Sequence, residues 1–455
     1  MNEPAALRSG SLTFIEVLAI SVALIGPSMT PILIAPYMYA NAGNGTWLAY
    51  AFGGTMLIFV ALNINQFTRR TSAAGSMYGY VAENLGPMLG ALAGWSLLWA
   101  YGFVAAAVLG AMALFANILL GDVGLRAPEV AVACVIALVA WQAAYRGVQV
   151  SAIVMLVLEA ISVTVICVLV GIVLTKHGPS IDHYQVTLKG GFPGGIGLAI
   201  AFAVFSFVGF ESATAFGAEA KNPLVTIPRA VLGSVIFVSI FFIVATYAEI
   251  LGLRGAPKPL DQQTFPLGTL ADISGVGYLR VPIAIGALCS AFSVCLACIT
   301  TAGRIAYAMS VARLLPPAFA RIERKHGTPN VAVTLVTALT LAVTVGSLFG
   351  RVAPIDIFNN CGTLSSFGFI VIYALISIAA GVYVKRQREM RSIDLAISVI
   401  AVLLLLVPAI TLFYPVPAPP QRWFAYYFLV FLVAGWAWFA ATRRNDPTPR
   451  GGSAP

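Results

Sequence analysis

Twelve apolar stretches of membrane length, joined by short loops, leave this chain almost nothing from which to build a soluble domain. They run 12–36, 46–66, 87–120, 128–145, 148–175, 195–219, 229–253, 280–312, 330–350, 361–384, 392–414 and 421–441. About 20 apolar residues cross a bilayer as a helix. In hydrocarbon every backbone N–H and C=O must be bonded within the protein, which only helices and closed barrels achieve. Charged residues make up 9% of the 455, against about 25% in soluble domains, and the mean hydropathy is +0.92. The chain reads as an all-α integral membrane protein of twelve transmembrane helices.

Two of the twelve are interrupted. The first contains Ile25-Gly26-Pro27-Ser28-Met29-Thr30-Pro31, where two prolines withdraw amide donors from the helix. The sixth contains Phe205-Ser206-Phe207-Val208-Gly209-Phe210-Glu211-Ser212-Ala213-Thr214, with a glycine and a carboxylate near the middle. Irregular backbone at membrane depth is tolerated where it is buried in protein or lines a cavity, and a carboxylate there faces a cavity or a partner. Spans one to five and six to ten form two sets, and an odd number inverts the second relative to the first. The first member of each set carries the break, the pattern of an inverted-repeat transporter with a midplane site. Residues 12–175 thus read as the first repeat and 195–384 as the second, with 392–441 as two further helices. The tails are 1–11 and 442–455, the latter of disordered composition.

The formal charge of +9 reflects topology. With the N-terminus inside, Lys and Arg gather on the cytoplasmic side, among them Arg69, Arg70, Lys221, Arg229, Arg321, Lys385 and Arg386. That puts both termini in the cytoplasm and argues against nucleic acid as a partner. The short tails suggest a bacterial cytoplasmic membrane. Segment 12–36 exceeds the roughly 7–15-residue core of a signal peptide, so Ala40-Asn41-Ala42 is not read as a cleavage site. Six cysteines lie in or beside the spans rather than forming a disulfide framework. Cys295-x-x-Cys298 lacks the further ligands of a metal site. His177, His183 and His326 fall in loops. No metal or cofactor is expected, and without membrane histidines or clustered nucleophiles an embedded enzyme is disfavoured. A channel or sensor is the other rival. Residues 69–78 and 314–329 read as short interfacial helices.

Gly209-Phe210-Glu211, Glu219-Ala220-Lys221-Asn222-Pro223 and Ile227-Pro228-Arg229-Ala230 together resemble the sixth helix and following loop of the amino acid–polyamine–organocation superfamily. Ala302-Gly303-Arg304 with Leu315-Pro316 and Thr328-Pro329 resembles its eighth helix and loop. Ser72-Ala73-Ala74-Gly75-Ser76-Met77-Tyr78 resembles the signature after its second helix. The matches follow the expected order over nearly the whole chain. The resemblance implies secondary transport of an amino acid or small amine by alternating access. Many such permeases carry Gly-Ser-Gly in the first break, where free amides hold the substrate carboxylate; this chain has Met29-Thr30-Pro31. Proline offers no donor and methionine narrows the approach, which keeps decarboxylated amines or an unusual amino acid in play.

The expected substrate site lies between the breaks, at the exposed backbone of Pro27, Ser28, Met29 and Thr30 and of Phe207, Val208, Gly209 and Phe210, beside Glu211. An aromatic residue at the second break commonly closes over substrate in this family, which selects Phe207 or Phe210. Glu159, near the middle of span five, packs beside span one as the resemblance implies, in a region where some relatives place a lysine and sodium-coupled ones an ion. Glu159 and Glu211 are the candidate coupling groups, with proton coupling preferred. Ser293, with Thr300 and Thr301, is the candidate for sodium, although membrane hydroxyls more often bond their own backbone. Asn63, Asn65, Asn359 and Asn360 read as packing groups, and Arg304 as an inner-gate partner or a snorkelling cation. Sodium coupling, exchange, or polyamine carriage are the alternatives; substrate identity and oligomeric state stay open.

Overall fold

The computed structural model describes residues 12–71, 77–146, 149–178, 181–191, 193–217, 220–323, 327–387 and 391–444. Regular structure among them is helical, and strand-like pairing is confined to two isolated bridges, Leu12 with Ala220 and Glu323 with Thr328. In order the helices are α1 (Phe14–Ile25), α2 (Ala35–Ala42), α3 (Thr46–Thr68), α4 (Met77–Leu85), α5 (Pro87–Asp122), α6 (Glu129–Arg146), α7 (Gln149–His177) and α8 (His183–Val186). There follow α9 (Pro193–Ser206), α10 (Pro223–Gly252), α11 (Pro266–Ile273), α12 (Arg280–Val311), α13 (Asn330–Phe349), α14 (Pro354–Arg386), α15 (Ser392–Thr411) and α16 (Phe424–Arg444). Eleven helical stretches among the described residues are long and apolar enough to cross a membrane, the first of them, Phe14–Thr68, spanning 55 residues. The protein is a multi-pass integral membrane protein.

The core is built around α5, which packs along α12 and α14. Small residues allow that approach. A Cβ on Gly368 would stand 2.6 Å from the Ser96 carbonyl oxygen, and one on Gly94 would stand 2.7 Å from Met309 Sδ. Around this trio α3 pairs with α10, α7 with α12, and α1 lies against α10 and α7. Helix α15 covers α3, α9 and α14, while α16 covers α5 and α14. Leu403, Ile410, Val430 and Val433 remain exposed on these outer helices, as lipid-facing residues should be.

Both expected interruptions are present. Helix α1 opens with a reciprocal cap between Thr13 and Glu16 and ends at Gly26, whose φ of 62° is left-handed. Pro27 follows, and the chain resumes as a wide turn over Thr30–Ile34 that feeds α2. Helix α9 stops at Ser206, and after Gly209 (φ 112°) the chain continues as a 3₁₀ segment, Phe210–Phe216. A Cβ on Gly209 would come within 2.9 Å of the Leu24 carbonyl. Glycine is therefore required twice there, by its dihedral and by the close packing of one break on the other.

Several boundaries differ from the sequence reading. The sixth span, expected over 195–219 and broken at 207–211, starts at Pro193, breaks after Ser206 and runs on as the 3₁₀ segment to Phe216; Glu219 lies outside the described residues. Helix α10 begins at Pro223, before the expected 229, and accommodates Pro228, whose carbonyl accepts from Asn65 Nδ2 at 3.0 Å. Helix α14 starts at Pro354 and so carries Asn359 and Asn360 within it. Among the described residues of the segment 314–329, helical structure is limited to the 3₁₀ turn Pro317–Ala320, because consecutive prolines 316 and 317 cannot sit in a helix interior. Of the helix expected over 69–78, residues 69–71 are not helical, residues 72–76 lie outside the described residues, and a helix, α4, begins only at Met77 and runs on to Leu85; the tails 1–11 and 445–455 and residues Lys325 and His326 also lie outside the described residues. His177 ends α7 and His183 opens α8, rather than both lying in open loop.

Candidate functional site

The two breaks meet at a buried cavity of about 20 Å³, the order of volume that holds one water. Ile25, Gly26, Met29, Thr30 and Ile34 line it from the first break; Phe205, Ser206 and Val208 line it from the second. Val104 and Val108 of α5, Val294 of α12 and Phe358 of α14 complete the wall. No charged residue is among them. The residue types follow from position: small and branched apolar side chains on α5 and α12 are what a bundle centre selects, and the breaks contribute the polar atoms.

A broken helix in a membrane must find other partners for its amides. In the first break Gly26 N–H donates to the Ala23 carbonyl at 3.2 Å and Met29 N–H to Gly26 at 3.0 Å. Pro27 has no donor. Ser28 donates both its amide, at 3.1 Å, and its hydroxyl, at 2.6 Å, to Oε1 of Glu159 on α7. In the second break Phe207, Val208 and Phe210 donate to carbonyls three residues back, at 3.2, 3.4 and 3.4 Å. Gly209 N–H donates to Glu211 Oε2 at 3.2 Å. Of the amides expected to be exposed to substrate, those of Ser28, Met29, Phe207, Val208, Gly209 and Phe210 are thus bonded within the protein.

The two acids are held differently. Glu211 accepts from Tyr101 of α5 at 2.6 Å on one oxygen, and from Tyr373 of α14 at 3.2 Å and Gly209 N–H on the other. Both of its oxygens are occupied, and it ties the second break to the two helices at the core. Glu159 uses one oxygen only; its Oε2 has no partner of hydrogen-bond geometry among the described residues, nor does the Ser290 hydroxyl that faces it.

Of the expected site residues, Met29, Thr30 and Val208 face the cavity. Ser28 is turned to Glu159, and Pro27 is buried beside it. Gly209 lies against the end of α1. Phe207 packs on Phe242 with ring centroids 5.2 Å apart, and Phe210 on Tyr373 at 5.5 Å. Phe205 is the aromatic residue of the second break that lines the cavity. Ser293 donates to the Cys289 carbonyl at 2.9 Å and Thr300 to Leu296 at 2.9 Å, each bonding its own helix. Asn63 accepts from Ser398 at 2.7 Å across a helix interface. Arg304 is exposed. Sequence reasoning missed Tyr101 and Tyr373, which no local pattern marks, and Glu249, whose signal was a carboxylate inside an apolar span.

An all-helical membrane protein in which two interrupted helices converge on one buried cavity has the architecture of a carrier. The chain belongs to the amino acid permease family, whose model matches residues 17–445. It is 24% identical over 372 residues to the branched-chain amino acid permease BcaP of Bacillus subtilis, covering 77% of this chain and 76% of that one. It is 25% identical over 417 residues to the methylthioribose transporter of the same organism, covering 87% and 85%. To the low-affinity putrescine importer PlaP of Escherichia coli it is 26% identical over 355 residues, covering 75% and 74%.

Proposed function

We propose that the protein is a proton-coupled secondary carrier that moves a small apolar amino acid across the cytoplasmic membrane by alternating access. In this reading Phe14–Thr68 makes two crossings. The first repeat occupies 12–175 and the second, inverted, occupies 195–384, with 392–441 peripheral. Both termini are cytoplasmic. The observation that carries the reading is the convergence of both breaks on one cavity whose wall is apolar and uncharged. Such a wall suits an aliphatic side chain, as the likeness to a branched-chain amino acid permease also suggests. A diamine would need an acid in the wall for its second ammonium, which disfavours the polyamine alternative.

Glu159 supplies the link between proton and substrate. While it is ionised, its carboxylate holds the Ser28 amide and hydroxyl. Charge-assisted bonds of this kind are roughly twice as strong as neutral ones, so a proton on Glu159 weakens its hold on both donors. The freed Ser28 amide, at a half-helix end whose dipole favours anions, then receives the substrate carboxylate. Met29 and Thr30 sit beside it, and Phe205 and Val208 close the far side. Proton binding and substrate binding thereby assist one another. Glu211, fully bonded, keeps the second break in shape throughout.

The test is counterflow of labelled leucine in proteoliposomes holding purified protein. Exchange of leucine that valine competes for and putrescine does not is the expected result. Putrescine exchange without leucine exchange would overturn the assignment of substrate class, and saturation-free flux of both would point to a channel.

A further inference from the structure

Glu249 lies on α10, three residues before the helix ends at Gly252. It is completely buried, and neither carboxylate oxygen has a hydrogen-bond partner among the described residues. A lone buried carboxylate is expensive, and an ionisable residue retained inside a membrane marks an ion or proton pathway. A second observation lies one turn away: Thr246 is also completely buried, with its hydroxyl unpartnered. A third connects the pair to the cavity. Tyr50 of α3, the helix packed along α10, is fully buried with its ring centroid 5.4 Å from that of Phe242, which lies on α10 two turns before Glu249. Its hydroxyl meets Ser206 Oγ at 3.5 Å, and Ser206 lines the cavity between the breaks.

The other titratable groups on the surrounding elements are engaged elsewhere or stand apart. On α7, Glu159 holds Ser28, Lys176 donates to the Ser274 carbonyl, and His177 bonds the Val173 carbonyl. On α11, Asp272 pairs with Arg280. On the 3₁₀ segment after the second break Glu211 is bonded by two tyrosines, and on α1 Glu16 closes its own cap. On α10 itself, Arg229 stands near the opposite end and the Tyr247 hydroxyl accepts from the Asp182 amide. Arg254, just beyond the helix, pairs with Asp182. None of these neutralises Glu249.

We propose that Glu249 is a proton-carrying residue in the outer half of the protein, delivering protons through Tyr50 and Ser206 toward the cavity. This rests on the proton-coupled reading above. Glu249 takes a proton from the outer solvent and passes it through intervening water to the Tyr50 oxygen as Tyr50 releases its own proton to Ser206. Ser206 does the same into the cavity between the breaks, whose wall includes Met29, the neighbour of the Ser28 that Glu159 holds. Each hydroxyl is regenerated, and Glu249 is left ionised until outer solvent reprotonates it.

The experiment compares the wild type, Glu249→Gln and Tyr50→Phe in proteoliposomes, reading leucine counterflow and leucine accumulation driven by an acid-outside pH gradient. The expected result is that Glu249→Gln keeps counterflow and loses accumulation, with Tyr50→Phe losing part of it. Gradient-driven accumulation by Glu249→Gln equal to that of the wild type overturns the proposal. So does accumulation that follows a sodium gradient and is lost in the variant. Absence of counterflow in the wild type would instead sink the transport reading. Should Glu249→Gln lose counterflow too, infrared difference spectra across a pH step decide. A carboxyl carbonyl band that responds to pH and moves in Glu249→Asp supports the assignment, and identical bands in both proteins overturn it.

Discussion

The two breaks solve one physical problem, an unpaired amide at membrane depth, with acids of different provenance. The second break carries its own carboxylate: Glu211 reaches back two residues to Gly209 and takes hydroxyls from α5 and α14 on its remaining capacity. The first break borrows one: Glu159 arrives from α7, 131 residues along the chain, and commits a single oxygen to Ser28. A clasp satisfied on both oxygens is a fixture. One with a spare oxygen, and an idle serine facing it, can let go. Glu249, whose oxygens have no hydrogen-bond partner among the described residues, extends the series toward the proposed proton carrier. In the proposed reading the degree of hydrogen bonding sorts three buried acids into holding, switching and carrying.

The sharpest way to break that ordering is to delete each clasp. Glu211→Ala leaves Gly209 N–H and two tyrosine hydroxyls buried without their acceptor, and each such group costs about 1–3 kcal/mol. Glu159→Ala strands only the donors of one serine. Thermal unfolding of the detergent-purified variants should therefore show the larger fall in Tm for Glu211→Ala, and a greater fall for Glu159→Ala would reverse the assignment of fixture and switch. A smaller effect sharpens the picture of the fixture itself. Tyr101 donates to Glu211 at 2.6 Å and Tyr373 at 3.2 Å, and hydrogen bonds between membrane helices are worth about 0.6 kcal/mol on average. Tyr101→Phe should lower Tm more than Tyr373→Phe, with counterflow retained in both; equal shifts would mean that the shorter bond is not the stronger one.

Much of this was legible in the residues. The prolines of 25–31 and the glycine beside Glu211 announced both breaks, because no uninterrupted membrane helix tolerates them without compensation. Glu159 and Glu211 stood out as carboxylates in apolar spans, and so should Glu249 have done. Partnership was not legible. Nothing near Tyr101 or Tyr373 in the chain marks them as donors to Glu211, since their sequence separations of 110 and 162 residues are closed only by the packing of α5 and α14. The same reason explains the aromatic residue at the cavity. Phe205, Phe207 and Phe210 are equivalent in composition and local pattern, and the exact end of α9 decides which of them points inward. The internal partners of the backbone expected to be free at 27–30 and 207–210 were not legible either: the amides of Ser28, Met29, Phe207, Val208, Gly209 and Phe210 are bonded, so in the proposed reading substrate competes with the protein for them.

The pH dependence of leucine affinity, measured on detergent-purified wild type and Glu159→Gln, decides whether that competition is governed by a proton on Glu159. A proton on Glu159 releases Ser28, so wild-type affinity should rise as pH falls, with binding accompanied by proton uptake. Glutamine at position 159 is neutral at every pH, and the variant should bind leucine with an affinity that no longer follows pH. Leucine affinity in Glu159→Gln that keeps the wild-type pH dependence would contradict the account and leave Glu159 as a clasp like Glu211.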